Sequence, residues 1–299
     1  MQTLELLSRR LTTLQSIRNV VRTMKTLSAV NAAPYDRAAT SINLFHATVL
    51  RGLQVVLRQA DLPQRSHVTN KVPRIVLVFG SDHGLCGGYN ETVAETATAG
   101  FPLRECAVFA VGARMADALD ALGVLVDRCF TPPASADGIG KLADDVLIAL
   151  DAARPPAHGE EISVTTVHMQ RDAQGVQVPS FRGLLPVEPE LVADLKAQPW
   201  RSRSLPTFSM APNALFGALI RNHLFASVFR VAAEAMAAEN AARLALMQQA
   251  ERSIDDRLSE LLATIRSARQ SEITNELLDV IAGFEALSHV RPGLKSSAH

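Results

Sequence analysis

The sequence has few of the features that mark an enzyme, a secreted protein or a membrane protein. Its 299 residues contain three cysteines, Cys86, Cys106 and Cys129. Three, without C-x-x-C spacing, argue against a disulfide framework or a zinc site and fit a reducing compartment. Net charge is zero, 30 basic residues against 30 acidic, so no bulk charge points to nucleic acid. No run of about 18 apolar residues exists, which excludes a membrane-spanning helix. The N-terminus lacks a continuous apolar core and a small-residue cleavage site, so it does not read as a secretory signal. Histidines are scattered without H-x-x-x-H spacing, and no G-x-S-x-G elbow occurs. Ser81, Asp82 and His83 are chain neighbours, which is not triad geometry. Outside the glycine-rich stretch 80–90, cofactors, metals and catalytic groups are therefore not expected.

The most consequential scarcity is local. Neither glycine nor proline occurs between Gly217 and Gly283, a stretch of 65 residues. An unbroken helix of that length would run roughly 98 Å, at 1.5 Å per residue. A compact globule of this size is only about 50 Å across, so the pattern predicts an elongated molecule. Ile254, Leu258, Leu261, Ile265 and Ala268 step by four and three. Ile273, Leu277, Val280, Phe284 and Leu287 do the same, and this is coiled-coil spacing. Residues 231–250 are alanine-rich, which suits a helix and a close neighbour.

At the other end, Leu4, Leu7, Leu11, Leu14, Ile17, Val21, Met24 and Leu27 form one apolar stripe at helical steps. Pro34 is expected to kink or break this helix, which resumes to about Arg58. Residues 1–58 carry eight basic and two acidic side chains, and residues 218–287 carry seven and ten. Opposite charge favours contact between the two segments, though surface ion pairs contribute modestly.

Between them the apolar period changes. "RIVLVFG" (74–80), "CAVFAVG" (106–112) and "EISVTTVHM" (161–169) read as strands. Segments 89–99, 113–123 and 140–153 read as helices. The alternation predicts an inserted α/β domain with a mostly parallel sheet. Residues 60–73 read as a polar linker, and 170–212 show no clear period. The expected architecture is α/β with a long antiparallel coiled coil of N- and C-terminal helices and an inserted Rossmann-like domain. Its segments are 1–58, 74–200, 212–287 and a tail at 288–299.

The stretch "GSDHGLCGGYN" (80–90) follows a strand and precedes a helix, as phosphate loops do. Its spacing fits neither G-x-x-x-x-G-K-[ST] nor G-x-G-x-x-G, it lacks lysine, and Asp82 would repel an anion. Two readings stand, a backbone anion site or a tight turn with close packing at Gly84, Gly87 and Gly88. Spacing favours the turn.

Together, "SDHGLCGGYN" (81–90), "IRNVVRTMKTLSAV" (17–30), "AENAARLALMQQAERSIDDRL" (238–258) and "ARQSEITNELLDVIAGFEAL" (268–287) resemble the gamma subunit of F-type ATP synthases. The resemblance implies a non-catalytic rotor shaft that couples ion flow to ATP synthesis or hydrolysis. Its partners would be the alpha and beta subunits, the epsilon subunit and the membrane c-ring. Its location would be peripheral, on the cytoplasmic face of a bacterial plasma membrane. Met24, Lys25, Arg269, Gln270, Thr274 and Glu276 would meet the stator.

Four departures from the family pattern stand out. Pro34 sits where the family helix continues. Ala238 replaces a serine, and "FSMAP" (208–212) lacks the usual carboxylate near the c-ring contact. Residues 288–299 extend past the family's usual end. These departures raise a variant complex, Na⁺-coupled or dedicated to hydrolysis, as the alternative. A stand-alone α/β anion-binding enzyme is the reading from outside the family. The absence of the plant-type cysteine-bearing insertion argues against thiol control.

Overall fold

The computed structural model describes residues 4–59, 73–154, 162–172, 174–200, 202–204 and 206–289. The linker at 60–72 and the tail from residue 290 lie outside them. Helix α1 spans Leu4–Gln59, and α6 spans Pro212–His289, 78 residues. Between them come β1 (Arg74–Phe79), α2 (Tyr89–Gly100), β2 (Ala107–Val111), α3 (Ala113–Ala121) and β3 (Arg128–Phe130). Then follow α4 (Ile139–Ala152), β4 (Ser163–Arg171), β5 (Gln177–Leu185) and α5 (Pro189–Ala197). The chain is thus long terminal helices with an inserted α/β sheet.

The expected break at Pro34 does not occur, because α1 runs through it. An internal proline costs about 3 kcal/mol. Packing on both sides offsets that cost: Tyr35 is buried and its hydroxyl donates to the Pro133 carbonyl at 3.1 Å. Gly217 and Gly283 likewise lie within α6 rather than at its ends.

Two rows of α1 recur every seven residues, and every member is buried or half-buried. One is Leu7, Leu14, Val21, Ser28, Tyr35, Ile42, Val49 and Val56. The other is Leu4, Leu11, Arg18, Lys25, Ala32, Ala39, His46 and Leu53. A strict seven-residue repeat is the coiled-coil signature. It corrects the stripe read from sequence, since Ile17, Met24 and Leu27 lie off these rows and are exposed. Arg18 and Lys25 take seam positions that the apolar pattern assigned to their neighbours.

The chain forms two compact bodies, and both long helices contribute to each. The first comprises the described residues up to Met24 and those from Met247 on. Here α1 and α6 pair antiparallel: Arg18 meets Asp255 at 2.7 Å and Arg22 meets Glu251 at 2.8 Å. Four residues forward on one helix match four back on the other. Continuing that register sets Leu4 opposite about residue 269. The second α6 heptad set therefore has no α1 partner. Ile273, Leu277, Val280 and Phe284 are exposed, contrary to the expectation that they pair with α1.

The second body comprises Lys25–Leu246. Its five-stranded sheet has the order β3-β2-β1-β4-β5. All pairings are parallel except β4 with β5. Central β1 is buried from Ile75 to Phe79 because both faces are covered. Ile75, Leu77 and Phe79 pack with α4 and the α6 residues Leu224–Ala237, and Val76 and Val78 pack with α2 and α3. The alanine-rich part of α6 thus lies on the sheet. Ala232, Ala233, Ala237 and Ala238 are fully or almost fully buried, so small side chains bring the helix close to strands. Residues 170–212, unorganised by sequence period, hold β5 and α5. β5 is an edge strand interrupted by Pro179 and Gly183, which erases its alternation.

Candidate functional site

Three places carry unusual chemistry. The first is the pair of helix faces singled out by sequence. Met24 is exposed, 37%, and Lys25 is half-buried on the seam. Arg269, Gln270, Thr274 and Glu276 are exposed on α6. Thr274 donates to the Gln270 carbonyl at 2.9 Å, the i–4 back-bond usual for threonine in a helix. The α1–α6 register sets Met24 opposite about residue 249, some 30 Å along the helix from residue 269. These residues therefore form two separate faces, not one cluster. The α6 face is amphipathic and open among the described residues, since Leu277, Leu278 and Ile281 are also more than half exposed.

The second place is the glycine loop. Gly87 has φ +66°, which glycine adopts without strain, and Leu85 beside it has φ 65°. A Cβ at Gly84, Gly87 or Gly88 would meet nothing within 4 Å. The close-packing role read for these three falls elsewhere. A Cβ at Gly80 would lie 2.5 Å from Met115 Cβ, and one at Gly112, with φ +100°, 2.4 Å from the Ser81 carbonyl oxygen. The sequence pattern missed this role of Gly112 because it follows β2, twenty-two residues beyond the loop it supports.

The loop's polar groups are turned to internal work. The Ser81 amide donates to Asn90 Oδ1 at 2.9 Å, and Asn90 Nδ2 donates to Ser81 Oγ at 2.8 Å. Ser81 Oγ donates to the His83 carbonyl at 2.9 Å. Asp82 accepts from the Ala113 amide at 3.1 Å. Arg243 of α6 donates Nη2 to the His83 carbonyl at 3.1 Å and Nε to the Gly84 carbonyl at 3.3 Å. Its Nη2 also meets Glu239 Oε1 at 2.6 Å. Burial pushes the Glu239 carboxyl above its ordinary value although Arg243 draws it down. Tyr89, fully buried, donates its hydroxyl to the Ala235 carbonyl at 3.0 Å, and burial pushes that phenol well up. The open depression beside the loop, about 450 Å³, is lined by Glu91, Glu95 and Asp117 with a single cation, Arg114. Three carboxylates against one guanidinium repel phosphate. The loop is a fastening onto α6 rather than an anion cradle.

The third place was missed by sequence reasoning. Glu234 of α6 receives Arg230 at 2.7 Å, with Arg182 of β5 at 3.5 Å and His168 of β4 at 3.4 Å. Burial raises the Glu234 carboxyl, but His168, Arg230 and Arg182 outweigh it and hold it down to about 2. Burial keeps His168 neutral, its ordinary value lowered despite Glu234. Nearby, His46 Nε2 and His223 Nδ1 lie 2.8 Å apart between α1 and α6. Burial lowers both, His223 to about 4. The available signal was a lone glutamate within the apolar run "VAAEAMAA" and a histidine inside an apolar strand. Among the described residues no group of three or more His, Cys, Asp or Glu is placed to hold a metal.

Comparisons agree along the length of the chain. Residues 3–287 match the family described as ATP synthase. The ATP synthase gamma chain of Bdellovibrio bacteriovorus is 26% identical over 299 residues, covering 92% of this chain and 96% of that one. That of Dinoroseobacter shibae is 26% identical over 305 residues, covering 96% and 100%. A chain of the Euglena gracilis mitochondrial ATP synthase has a similar fold, with a TM-score of 0.67 at 16% identity, covering 99% of this chain and 98% of that one. A chain of the Tetrahymena thermophila central stalk and c-ring gives 0.54 at 15% identity, covering 77% and 99%.

Proposed function

The chain belongs to the ATP synthase gamma-chain family and is a central-stalk rotor subunit without a catalytic site of its own, and from this premise we propose how it works. The α1–α6 pair turns inside a ring of alpha and beta subunits. The sheet domain meets the epsilon subunit and the c-ring. Ion flow through the c-ring turns the shaft, and the shaft sets which beta site is open. A uniform rod could not do this. A ligand or partner shifts a conformational equilibrium only by contacting the two states differently, so each beta conformation must meet a different face of the shaft.

The observation that carries this reading is the family match over residues 3–287, which spans both helices and the sheet. The exposed α6 face with Arg269, Gln270, Thr274 and Glu276 and the α1 face with Met24 and Lys25 are the proposed stator contacts. No helix among the described residues is long and apolar enough to cross a membrane. The likeness to bacterial gamma chains supports a place at the cytoplasmic face of a bacterial plasma membrane, held there through its partners.

The deciding experiment co-expresses this chain with alpha and beta subunits, purifies on a beta-subunit tag and assays Mg-ATP hydrolysis. One copy per three beta subunits and faster multi-site turnover are expected. Elution of this chain alone, with ATP bound to it directly, would overturn the reading.

A further inference from the structure

We propose that His46 of α1 and His223 of α6 form a two-histidine site for a divalent transition-metal ion of the Ni(II) or Cu(II) class, a staple between the two long helices. It uses none of the residues proposed for stator contact and goes beyond the rotor reading. No spacing motif marks it, because the two histidines lie 177 positions apart in the chain.

The separation of the two nitrogens carries the inference. His46 Nε2 and His223 Nδ1 lie 2.8 Å apart, with ring centroids 4.8 Å apart. In the neutral pair one nitrogen donates to the other. The same separation fits two nitrogens in adjacent positions on one ion. With metal–nitrogen bonds of about 2.0 Å, a right angle at the metal sets the nitrogens about 2.8 Å apart, and a tetrahedral angle about 3.3 Å. Right-angled nitrogen and oxygen coordination belongs to Cu(II) and Ni(II), whereas zinc prefers the tetrahedron. Each ring has only to turn until both lone pairs meet off the line between the nitrogens. The ring that donated then carries its hydrogen on its other nitrogen.

The surroundings hold the rings ready. His46 lies in the α1 row between Ala39 and Leu53. Leu53 packs with Leu219, one turn before His223. Gly52 lets the helices approach there, since a Cβ on it would lie 2.9 Å from Leu219 Cδ2. Phe45 and Phe225, beside the two histidines in sequence, meet edge to face at 6.4 Å. Ligands fixed by packing before the ion arrives are what a metal site needs. His223 is 8% exposed and His46 half-buried, so water reaches the pair from the His46 side and supplies the remaining ligands. Burial keeps both imidazoles neutral near pH 7, the form that binds a metal. Arg230 and Arg182 act on His46 and oppose a cation, but Glu234 engages both, at 2.7 and 3.5 Å.

The test titrates the isolated full chain with Ni(II), Cu(II) and Zn(II) salts near neutral pH, by calorimetry. Wild type should bind Ni(II) at least about threefold more tightly than Zn(II). His46→Gln and His223→Asn each keep an amide for the hydrogen bond but lose one imidazole. Each should weaken Ni(II) binding at least about tenfold. His83→Asn, at an exposed histidine of the loop, should leave it unchanged. Electron paramagnetic resonance of the Cu(II) form should show two imidazole nitrogens in wild type and one in either variant. Ni(II) should also raise the Tm of wild type and of His83→Asn but not of the pair variants. His46→Gln, at the half-buried position, decides the matter should His223→Asn not fold. No binding to wild type, or equal affinity in the pair variants, means an adventitious ion only and overturns the proposal. Zn(II) bound as tightly as Ni(II) overturns the assigned metal class. The chain is tested alone, so none of these results bears on the rotor reading.

Discussion

At the scale of single residues, backbone geometry and burial decide which positions matter. Gly112 carries both a left-handed φ and a carbonyl 2.4 Å from where a Cβ would sit. Gly112→Ala is expected to cost at least about 1–3 kcal/mol from backbone strain alone. Gly84→Ala, in open space and without a positive φ, should change stability by no more than about 0.5 kcal/mol. Thermal unfolding of the two variants side by side checks the contrast, and similar Tm values would refute it.

The buried histidines and Glu234 make stability pH-dependent, and the signs agree. His46 and His223 have folded values below their ordinary 6.5, so the unfolded chain binds more protons as pH falls. Their contribution is whole above about pH 6.5 and is lost as pH falls toward about 4, the value for His223. Glu234 is depressed from 4.5 to about 2, so its contribution is whole above about 4.5 and is lost below that. Denaturant midpoints should fall in two stages, the first beginning near pH 6.5. In His223→Gln the first stage should shrink while the second persists.

At the scale of elements, the α1–α6 pairing is decided by its apolar rows more than by its ions. The Arg22 side chain is half exposed, so its pair with Glu251 is screened by water and salt. A double-mutant cycle on Arg22 and Glu251 should give a coupling of about 0.2–1 kcal/mol, falling with added salt. Leu7→Ala, at 2% exposure, should cost about 2–5 kcal/mol. A coupling above the cost of Leu7→Ala would reverse that ranking. The same balance explains why α1 survives Pro34: one lost backbone bond is small beside a seam repeated through eight heptad positions.

At the scale of the whole molecule, the proposed stator contacts lie on exposed faces that contribute little to stability. Arg269 and Gln270 are solvent-exposed on α6. Arg269→Ala and Gln270→Ala should leave the Tm of the isolated chain unchanged within the effect of about 0.5 kcal/mol usual for surface positions. In the assembled complex they should reduce multi-site ATP turnover severalfold, because on the proposed function they remove contacts made only with the stator. Unaltered turnover in both would remove these residues from the proposed contact face.

Much of this molecule was legible in the sequence because its signals are local and repetitive. A 65-residue span free of glycine and proline, and three- and four-residue apolar steps, specify a long helix through backbone propensity alone. Apolar runs ending in glycine marked β1 and β2 for the same reason. The motifs at 17–30, 81–90, 238–258 and 268–287 carried the family. What only the tertiary structure decided are matters of register and long-range pairing. A helix stripe read at 3.6 residues per turn drifts from a seam that repeats at 3.5, so Ile17 and Met24 traded places with Arg18 and Lys25. Proline's local cost did not break α1, because burial of Tyr35 and its neighbours is a non-local gain. The glycine loop's partner, Arg243, lies 159 residues away from Gly84. No spacing rule links two such positions. Only folding brings that guanidinium to those carbonyls and turns a loop that looked like a phosphate site into a fastening.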